Sequence, residues 1–332
     1  MDRLPFVLVH PADRYACGNY RVRWPLDAVV RAGIAQGVES PYLLDADTLS
    51  DLAPDVVVFQ RVLELDQLAM MRLYRRVLPS AFFVFEIDDL LTDIPGDNRF
   101  SGLFYRQTLE RLRVGIGLCD RLVVSTPALA DAYGSFAPDV VVCPNTLPDV
   151  PWAFLGGRRR VGPRPRVGWA GSAGHLGDLK VLYPVVKATA ARVDWVFLGA
   201  VPNVLQRNAV ECFAQVPIDQ YPSKLSSLDL DLAVAPLQVH PYNDAKSCLR
   251  LLELGACGYS VICSAGVAAF DYDLPVVRVE NRADAWIHAI LSAAGEWDAL
   301  PGNGDALRDV IRSGWLLDGR AVEWASAWGI FC

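Results

Sequence analysis

At 332 residues the chain has room for two hydrophobic cores of ordinary domain size. With 52% hydrophobic and 21% charged residues, it is excluded from the disordered and low-complexity classes. A formal net charge of -7 argues against a nucleic-acid partner, which requires a segregated basic face.

Pro5 to His10 reads as a first strand. It is too short an apolar run for a signal peptide, and no stretch approaches the ~18 uncharged apolar residues of a membrane span, so a cytoplasmic location is expected. The following loop holds Pro11, Gly18 and Asn19 before a helix opening at Tyr20-Arg21-Val22-Arg23. Glycine-bearing loops after a first strand face the ligand cleft of doubly wound sheets. Asn19, Arg21 and Arg23 can therefore contact a diphosphate or an acceptor from that wall, or the arginines can be solvated helix residues.

Short apolar strands then alternate with helices, the pattern of a parallel α/β sheet: Pro41 to Leu44, Asp55 to Gln60, the helix Glu64 to Leu78, and Ala81 to Ile87. The last strand runs into Glu86-Ile87-Asp88-Asp89 at its C-terminal edge, where α/β domains bind ligands. Three readings stay open for these carboxylates: orienting an acceptor hydroxyl, holding a divalent ion, or capping the next element in solvent. Leu103 to Cys119 reads as a helix, Arg121 to Ser125 as a strand, Pro127 to Tyr133 as a helix, and Val140 to Cys143 as a sixth strand ending at Pro144-Asn145. Gly115-Ile116-Gly117 precedes a strand and has no third glycine, so it is no dinucleotide fingerprint.

Pro148 to Pro165, rich in Pro, Gly and Arg, reads as an interdomain linker. Its run Arg158-Arg159-Arg160, with Arg164 and Arg166, is either a solvated linker face or a peripheral contact to an anionic membrane surface. Arg166 to Ala170 then starts a second set of strands, followed by Gly171-Ser172-Ala173-Gly174-His175. Small residues let the backbone approach a ligand closely, and the helix they open offers a positive end. His175 can hydrogen-bond a phosphate oxygen there or serve a structural role. Strands are expected at Asp194 to Leu198, Glu211 to Val216 and Pro275 to Val279, with helices at Pro222 to Leu228, Ala283 to Glu296 and Asp305 to Ile311. Trp324 and Trp328, at i and i+4, predict a packed helix over Val322 to Phe331.

The densest stretch is Leu230 to Gly266. Asp231 to Pro236 is a buried strand, Gln238 to Asp244 a loop, and Ser247 to Cys257 an amphipathic helix. Its apolar face holds Leu249, Leu252 and Ala256, while Lys246, Arg250 and Glu253 share another. Gly258 stops the helix and Tyr259 to Ser264 is the next strand. At Lys246-Ser247, free backbone N–H groups, a hydroxyl and an ammonium converge at the positive end of a helix, which suits a phosphate. Glu253 can accept from a ribose or sugar hydroxyl pair, or pair with Arg250 on a surface helix. A loop ending in Lys-Ser lacks the glycines of a P-loop at Ala245 and His240. The eight cysteines form no Cys-x-x-Cys and there is no His pair at ligand spacing, so they read as thiols of a reducing compartment.

The run Lys246-Ser247-x-Leu249-Arg250-Leu251-Leu252-Glu253-x-Gly255-Ala256-x-Gly258-x-x-Val261-Ile262 resembles the donor segment of retaining glycosyltransferases of the GT-B fold, the "group 1" or family 4 type. Glu253 matches the second glutamate of that family's pattern. The position of the first is Ala245, with Asp244 the nearest substitute, and the usual proline is Ser260.

The resemblance implies two Rossmann-like domains facing a cleft, over residues 1–150 and 151–318, with a C-terminal helix, 319–332, crossing back to the first. It implies transfer of a sugar from a nucleotide-diphosphate sugar to a hydroxyl of a glycan or lipid-linked glycan, with retention and without a cofactor or metal. Lys246, Asp88 and Asp89 would stand at the reaction centre. Gly171, Ser172, His175, Asn145, Asp244, Ser247 and Glu253 would bind the donor. Asn19, Arg21, Arg23 and Glu86 would contact the diphosphate or acceptor. A non-catalytic nucleotide-sugar or glycan-binding protein of the same fold is the alternative.

Overall fold

A computed structural model describes residues 3–103, 107–157 and 162–330. The arginines at 158–160, and parts of the helices expected over Leu103 to Cys119 and Val322 to Phe331, lie outside the described residues. Twelve described strands form two six-stranded sheets. The first contains β1 (Phe6–His10), β2 (Gln36–Glu39), β3 (Val56–Gln60), β4 (Phe82–Ile87), β5 (Arg121–Val124) and β6 (Val140–Val142), in the order β2-β1-β3-β4-β5-β6. The second contains β7 (Arg166–Gly171), β8 (Asp194–Gly199), β9 (Glu211–Phe213), β10 (Leu232–Ala235), β11 (Ser260–Ser264) and β12 (Val277–Val279), in the order β12-β11-β10-β7-β8-β9.

Every pairing is parallel. Parallel sheets need helices on both faces, so their central strands are apolar throughout: all five residues of β3 are buried, and so are all four of β10. The order reverses at β1 and β3 in the first sheet and at β7 and β10 in the second. Ligand crevices form beside such reversals, at the C-terminal ends of the strands.

In the first half of the chain, two elements depart from the sequence expectation. The second strand is Gln36–Glu39, and Pro41 to Leu44 is a bend and coil. Gln36 donates to Pro5 O and Ser40 to Val9 O, so the pairing with β1 is complete before Pro41, which has no N–H to continue it. Ala46–Leu52 forms a helix the apolar pattern did not reveal, capped by Asp45, whose side chain accepts from the Thr48 N–H at 2.9 Å.

The C-terminal helix, Ala321–Ala327, crosses back onto the first sheet, as expected. Trp324 and Trp328 are fully buried there, edge to face at 5.8 Å, in one core with Val7, Val9, Val84 and Val123. The guanidinium of Arg121 on β5 secures the helix end by donating to Ser326 O at 2.7 Å. A short bridge, Leu147 to Leu316, ties the two chain crossings together.

Candidate active site

The C-terminal edges of the two sheets meet, and each tie between them comes from a segment just beyond a strand. After β5, Thr126 Oγ1 donates to Ala245 O at 2.9 Å. After β6, Asn145 Nδ2 donates to Ser247 Oγ at 2.8 Å. After β1, the Tyr20 hydroxyl donates to Glu253 at 3.0 Å. From the loop beyond β4, Asn98 Nδ2 donates to Gly174 O at 3.0 Å. Tyr242, from the second half, packs in the core beneath the first sheet, while Tyr20 packs in the core of the second.

On the first wall, Arg21 and Glu86 are fully buried and paired at 2.5 Å. Arg21 Nη1 also donates to Cys143 O at 2.7 Å and to Asn145 Oδ1 at 2.8 Å, and its guanidinium lies 4.7 Å over the Trp324 ring. Burial pushes the Glu86 carboxyl up to about 7, against the pull of Arg21. Neither side chain is exposed to a ligand, contrary to the expectation of direct contact; their role here is to hold Asn145, which in turn holds Ser247. Asn19 and Arg23 also serve the loop rather than the cleft. Asn19 Nδ2 donates to Tyr15 O at 2.6 Å, and Arg23 joins Asn19 Oδ1 at 2.9 Å and Glu39 at 2.5 Å. They lie in a single π-helical turn, Asn19–Arg23, which leads into the Trp24–Arg31 helix.

Asp88 and Asp89 are half-buried just beyond β4. Burial raises the Asp89 carboxyl, while the charges of Lys246 and Arg61 and a hydrogen bond from Tyr242 pull it down. Lys246 Nζ stands 4.6 Å over the ring of Tyr242, which packs in the core beneath the first sheet. Arg61 completes this group: it reaches Asp13 at 2.9 Å, Cys17 Sγ at 3.8 Å and Asp89 at 4.0 Å. Its φ of 51° is left-handed, a strained backbone for a long side chain at the end of β3. Cys17, Asp88 and Asp89 each offer a ligand atom within 4.8 Å of the others, a spacing a divalent ion could bridge. Arg61 already supplies a positive charge to that group.

On the second wall, β7 ends at Gly171, where a Cβ would come within 2.4 Å of the Trp169 ring. Ser172 O accepts from His175 N at 3.1 Å, closing a tight turn. His175 Nδ1 contacts Asp178 Oδ2 at 2.9 Å. Burial, together with Lys246 and Arg250, lowers the imidazole to about 4 in spite of Asp178.

The helix expected from Ser247 begins at Leu249, so Lys246 and Ser247 lie in the turn before it. The Ser247 hydroxyl accepts from Leu249 N at 3.4 Å, one residue before the N-cap, Cys248. Pro241–Asp244, expected as loop, is one helical turn opened by His240. Asp244 accepts from Ala268 N at 3.0 Å and is spent on that contact. Glu253, expected to face a ribose, instead receives the hydroxyls of Tyr20 and Tyr221, at 3.0 and 3.1 Å, with Arg250 Nε at 3.5 Å. Burial raises its carboxyl, and these three donors oppose the rise.

Sequence reasoning missed Arg61, Asp178, Tyr20, Tyr221 and the site role of Arg250. Arg250 had a usable signal, four residues beyond Lys246 and one face with it. Arg61 had a weaker one, the first residue past a buried strand. The tyrosines gave none, because their partner lies 233 residues away for Tyr20.

No protein-family model and no curated protein matches the sequence. Solved structures do match in fold. HepE from Anabaena in complex with UDP-glucose aligns with a TM-score of 0.66 at 10% identity, covering 99% of this chain and 100% of that one. A glycosyltransferase from Rickettsia africae ESF-5 gives 0.65 at 13%, covering 98% and 99%. The catalytic domain of starch synthase IV from Arabidopsis thaliana, bound to ADP and acarbose, gives 0.64 at 10%, covering 99% of each chain. Two parallel Rossmann-like sheets, edge to edge across a cleft with a crossing C-terminal helix, define the GT-B fold, and this chain has it.

Proposed function

We propose that the protein is a glycosyltransferase that moves a sugar from a nucleotide-diphosphate sugar to a hydroxyl of a glycan or polysaccharide precursor, free or lipid-linked, with retention of configuration. The observation that carries this reading is the place of Lys246 at the join of the two sheet edges, flanked by the hydrogen bonds of Ala245 with Thr126 and of Ser247 with Asn145. Residues 1–150 form the acceptor domain and 151–318 the donor domain, and the remaining segment, 319–332, carries the returning helix Ala321–Ala327.

The leaving diphosphate gains charge as the glycosidic bond breaks. Lys246, Arg250 and the Gly171 to His175 turn stabilise it by charges already in place, and losing one such donor costs about 10² to 10³ in rate. Asp88 and Asp89 orient the acceptor hydroxyl. In the retaining course its proton passes to the departing diphosphate oxygen, so the reaction needs neither a protein nucleophile nor a metal. Among the described residues no helix is long and apolar enough to cross a membrane, and the described cysteines are free thiols. Both accord with a cytoplasmic enzyme that can meet a lipid-linked acceptor at a membrane face.

Melting wild type and Lys246→Ala with UDP, GDP, dTDP, ADP and CMP tests the donor site. A ligand at 100 times its Kd adds about 2.7 kcal/mol, so one nucleotide should raise the wild-type Tm and leave the variant unmoved. If none shifts either protein, the donor reading fails. The anomeric configuration of the product, read by NMR, tests retention. One observation favours a binding protein without transfer: both Glu253 oxygens are already engaged by tyrosine hydroxyls. Nucleotide-sugar binding with neither transfer nor donor hydrolysis would select that alternative.

A further inference from the structure

His175 and Asp178 form a pair whose hydrogen-bond accounting fixes the proton on one ring nitrogen. Asp178 Oδ1 accepts from Gln238 N at 2.8 Å and from Asn243 Nδ2 at 2.9 Å, while Oδ2 faces His175 Nδ1 at 2.9 Å. Oδ1 of this buried side chain already takes two N–H donors, and Oδ2 serves as the acceptor towards the ring, so the ring donates. Nδ1 therefore carries the proton, and in the neutral ring Nε2 holds a lone pair.

The ring keeps 19% of its surface exposed. The charges acting on it are the positive Lys246 and Arg250 and the negative Asp178. Asp97, which reaches Gln238 at 3.2 Å, is itself paired with Lys180 at 2.7 Å. Burial first, and then the two cations, oppose protonation of the ring, and an anion offsets the cations' share. A phosphate among them reverses the balance: its oxygens repel a bare lone pair and favour an N–H.

We propose that His175 takes up a proton from solvent when a diphosphate binds, and that Nε2–H then donates to a phosphate oxygen. This rests on the donor-site reading above and extends it, making His175 a charge-neutralising partner that returns its proton when the diphosphate leaves. No covalent bond changes in the step; one proton moves from water to the ring and back.

The chain has four histidines, so their ring resonances are resolvable by NMR, with His175 assigned by His175→Gln. Titrating wild type at pH 7 with inorganic pyrophosphate, and separately with UDP, GDP, dTDP and ADP, should carry the His175 signal from the neutral to the imidazolium position at saturation. Wild-type affinity for pyrophosphate should fall between pH 6 and 8 by up to about tenfold per pH unit more than that of His175→Gln, the ligand's own titration being common to both. A purely structural histidine would not move in this way. Saturating binding, followed on the other histidines, with His175 still neutral overturns the proposal and leaves the donor reading intact. Binding by none of the probes overturns both. The wild-type titration stands even if the variant does not fold.

Discussion

Replacing Arg21 by methionine should destabilise the protein in a pH-dependent way. The change removes a fully buried guanidinium that bonds Glu86 at 2.5 Å, Cys143 O at 2.7 Å and Asn145 Oδ1 at 2.8 Å. Breaking a buried ion pair from one side costs about 3–5 kcal/mol, chiefly because the surviving charge is left uncompensated. Glu86 can shed that charge. Its carboxyl stands at about 7 with Arg21 present, against 4.5 ordinarily, and rises further without it, so at pH 7 the loss should fall near the low end, about 3 kcal/mol.

The sign follows from linkage. A carboxyl raised in the native state favours folding while protonated, and that contribution is lost as pH climbs from its unfolded towards its native value. Wild type loses it between 4.5 and about 7. In Arg21→Met the window extends upwards, so the gap between the two proteins should widen chiefly from pH 7 to 8, by up to about 1.4 kcal/mol per unit. Urea unfolding at pH 6, 7 and 8, followed by tryptophan fluorescence, measures it; Trp324 lies 4.7 Å from the guanidinium and reports locally. A gap below about 1 kcal/mol, or one that narrows with rising pH, would refute the assignment of Arg21 and Glu86 as a buried structural pair.

Trp328→Ala should cost about 3–5 kcal/mol by the same unfolding assay, because the ring is fully buried under the first sheet, whereas Val322→Ala, 67% exposed on the same helix, should stay within about 0.5 kcal/mol. Tyr20→Phe and Tyr221→Phe each remove one donor from buried Glu253 and should each cost about 1–3 kcal/mol; a double-mutant cycle reading additive losses would show that the two hydroxyls do not share the carboxylate. Gly199→Ala should lower the Tm and abolish any nucleotide-induced shift, since φ is 103° there and a Cβ would lie 2.0 Å from Gly171 O. An unchanged shift would detach the Gly171 turn from ligand binding.

Much of the fold was legible because parallel strands announce themselves. Runs such as Val56-Val57-Val58-Phe59 and Ser260-Val261-Ile262-Cys263 are apolar on both faces, and the helices between them carry periodic stripes. The strand Gln36–Glu39 was missed because an edge strand alternates and holds polar residues, while the neighbouring Pro41 to Leu44 looked more apolar. The site was legible as a set of segments and less so as contacts. Lys246 lies at the join of the two sheet edges, Asp88 and Asp89 follow the end of β4, and His175 follows β7. Arg21, Glu86 and Glu253 were read as ligand-facing because charge at a cleft suggests a ligand, yet each finds its partner within the chain. Whether a charged group faces solvent or another side chain depends on pairings across distant segments, and local periodicity carries no trace of them.

The position where the resembled family places its first glutamate shows what this chain does instead. Ala245 is buried, its carbonyl takes the Thr126 hydroxyl, and its methyl lies in the core beneath the first sheet. A carboxylate there would be buried among apolar side chains. Asp244, next to it, is committed to Ala268. The carboxylate on which Lys246 acts stands on the opposite wall, as Asp89, where burial is the larger influence. When both charges stand on one domain, their attraction is indifferent to how the halves sit. With the ammonium on one half and the carboxylate on the other, their attraction depends on how the two sheet edges are held together.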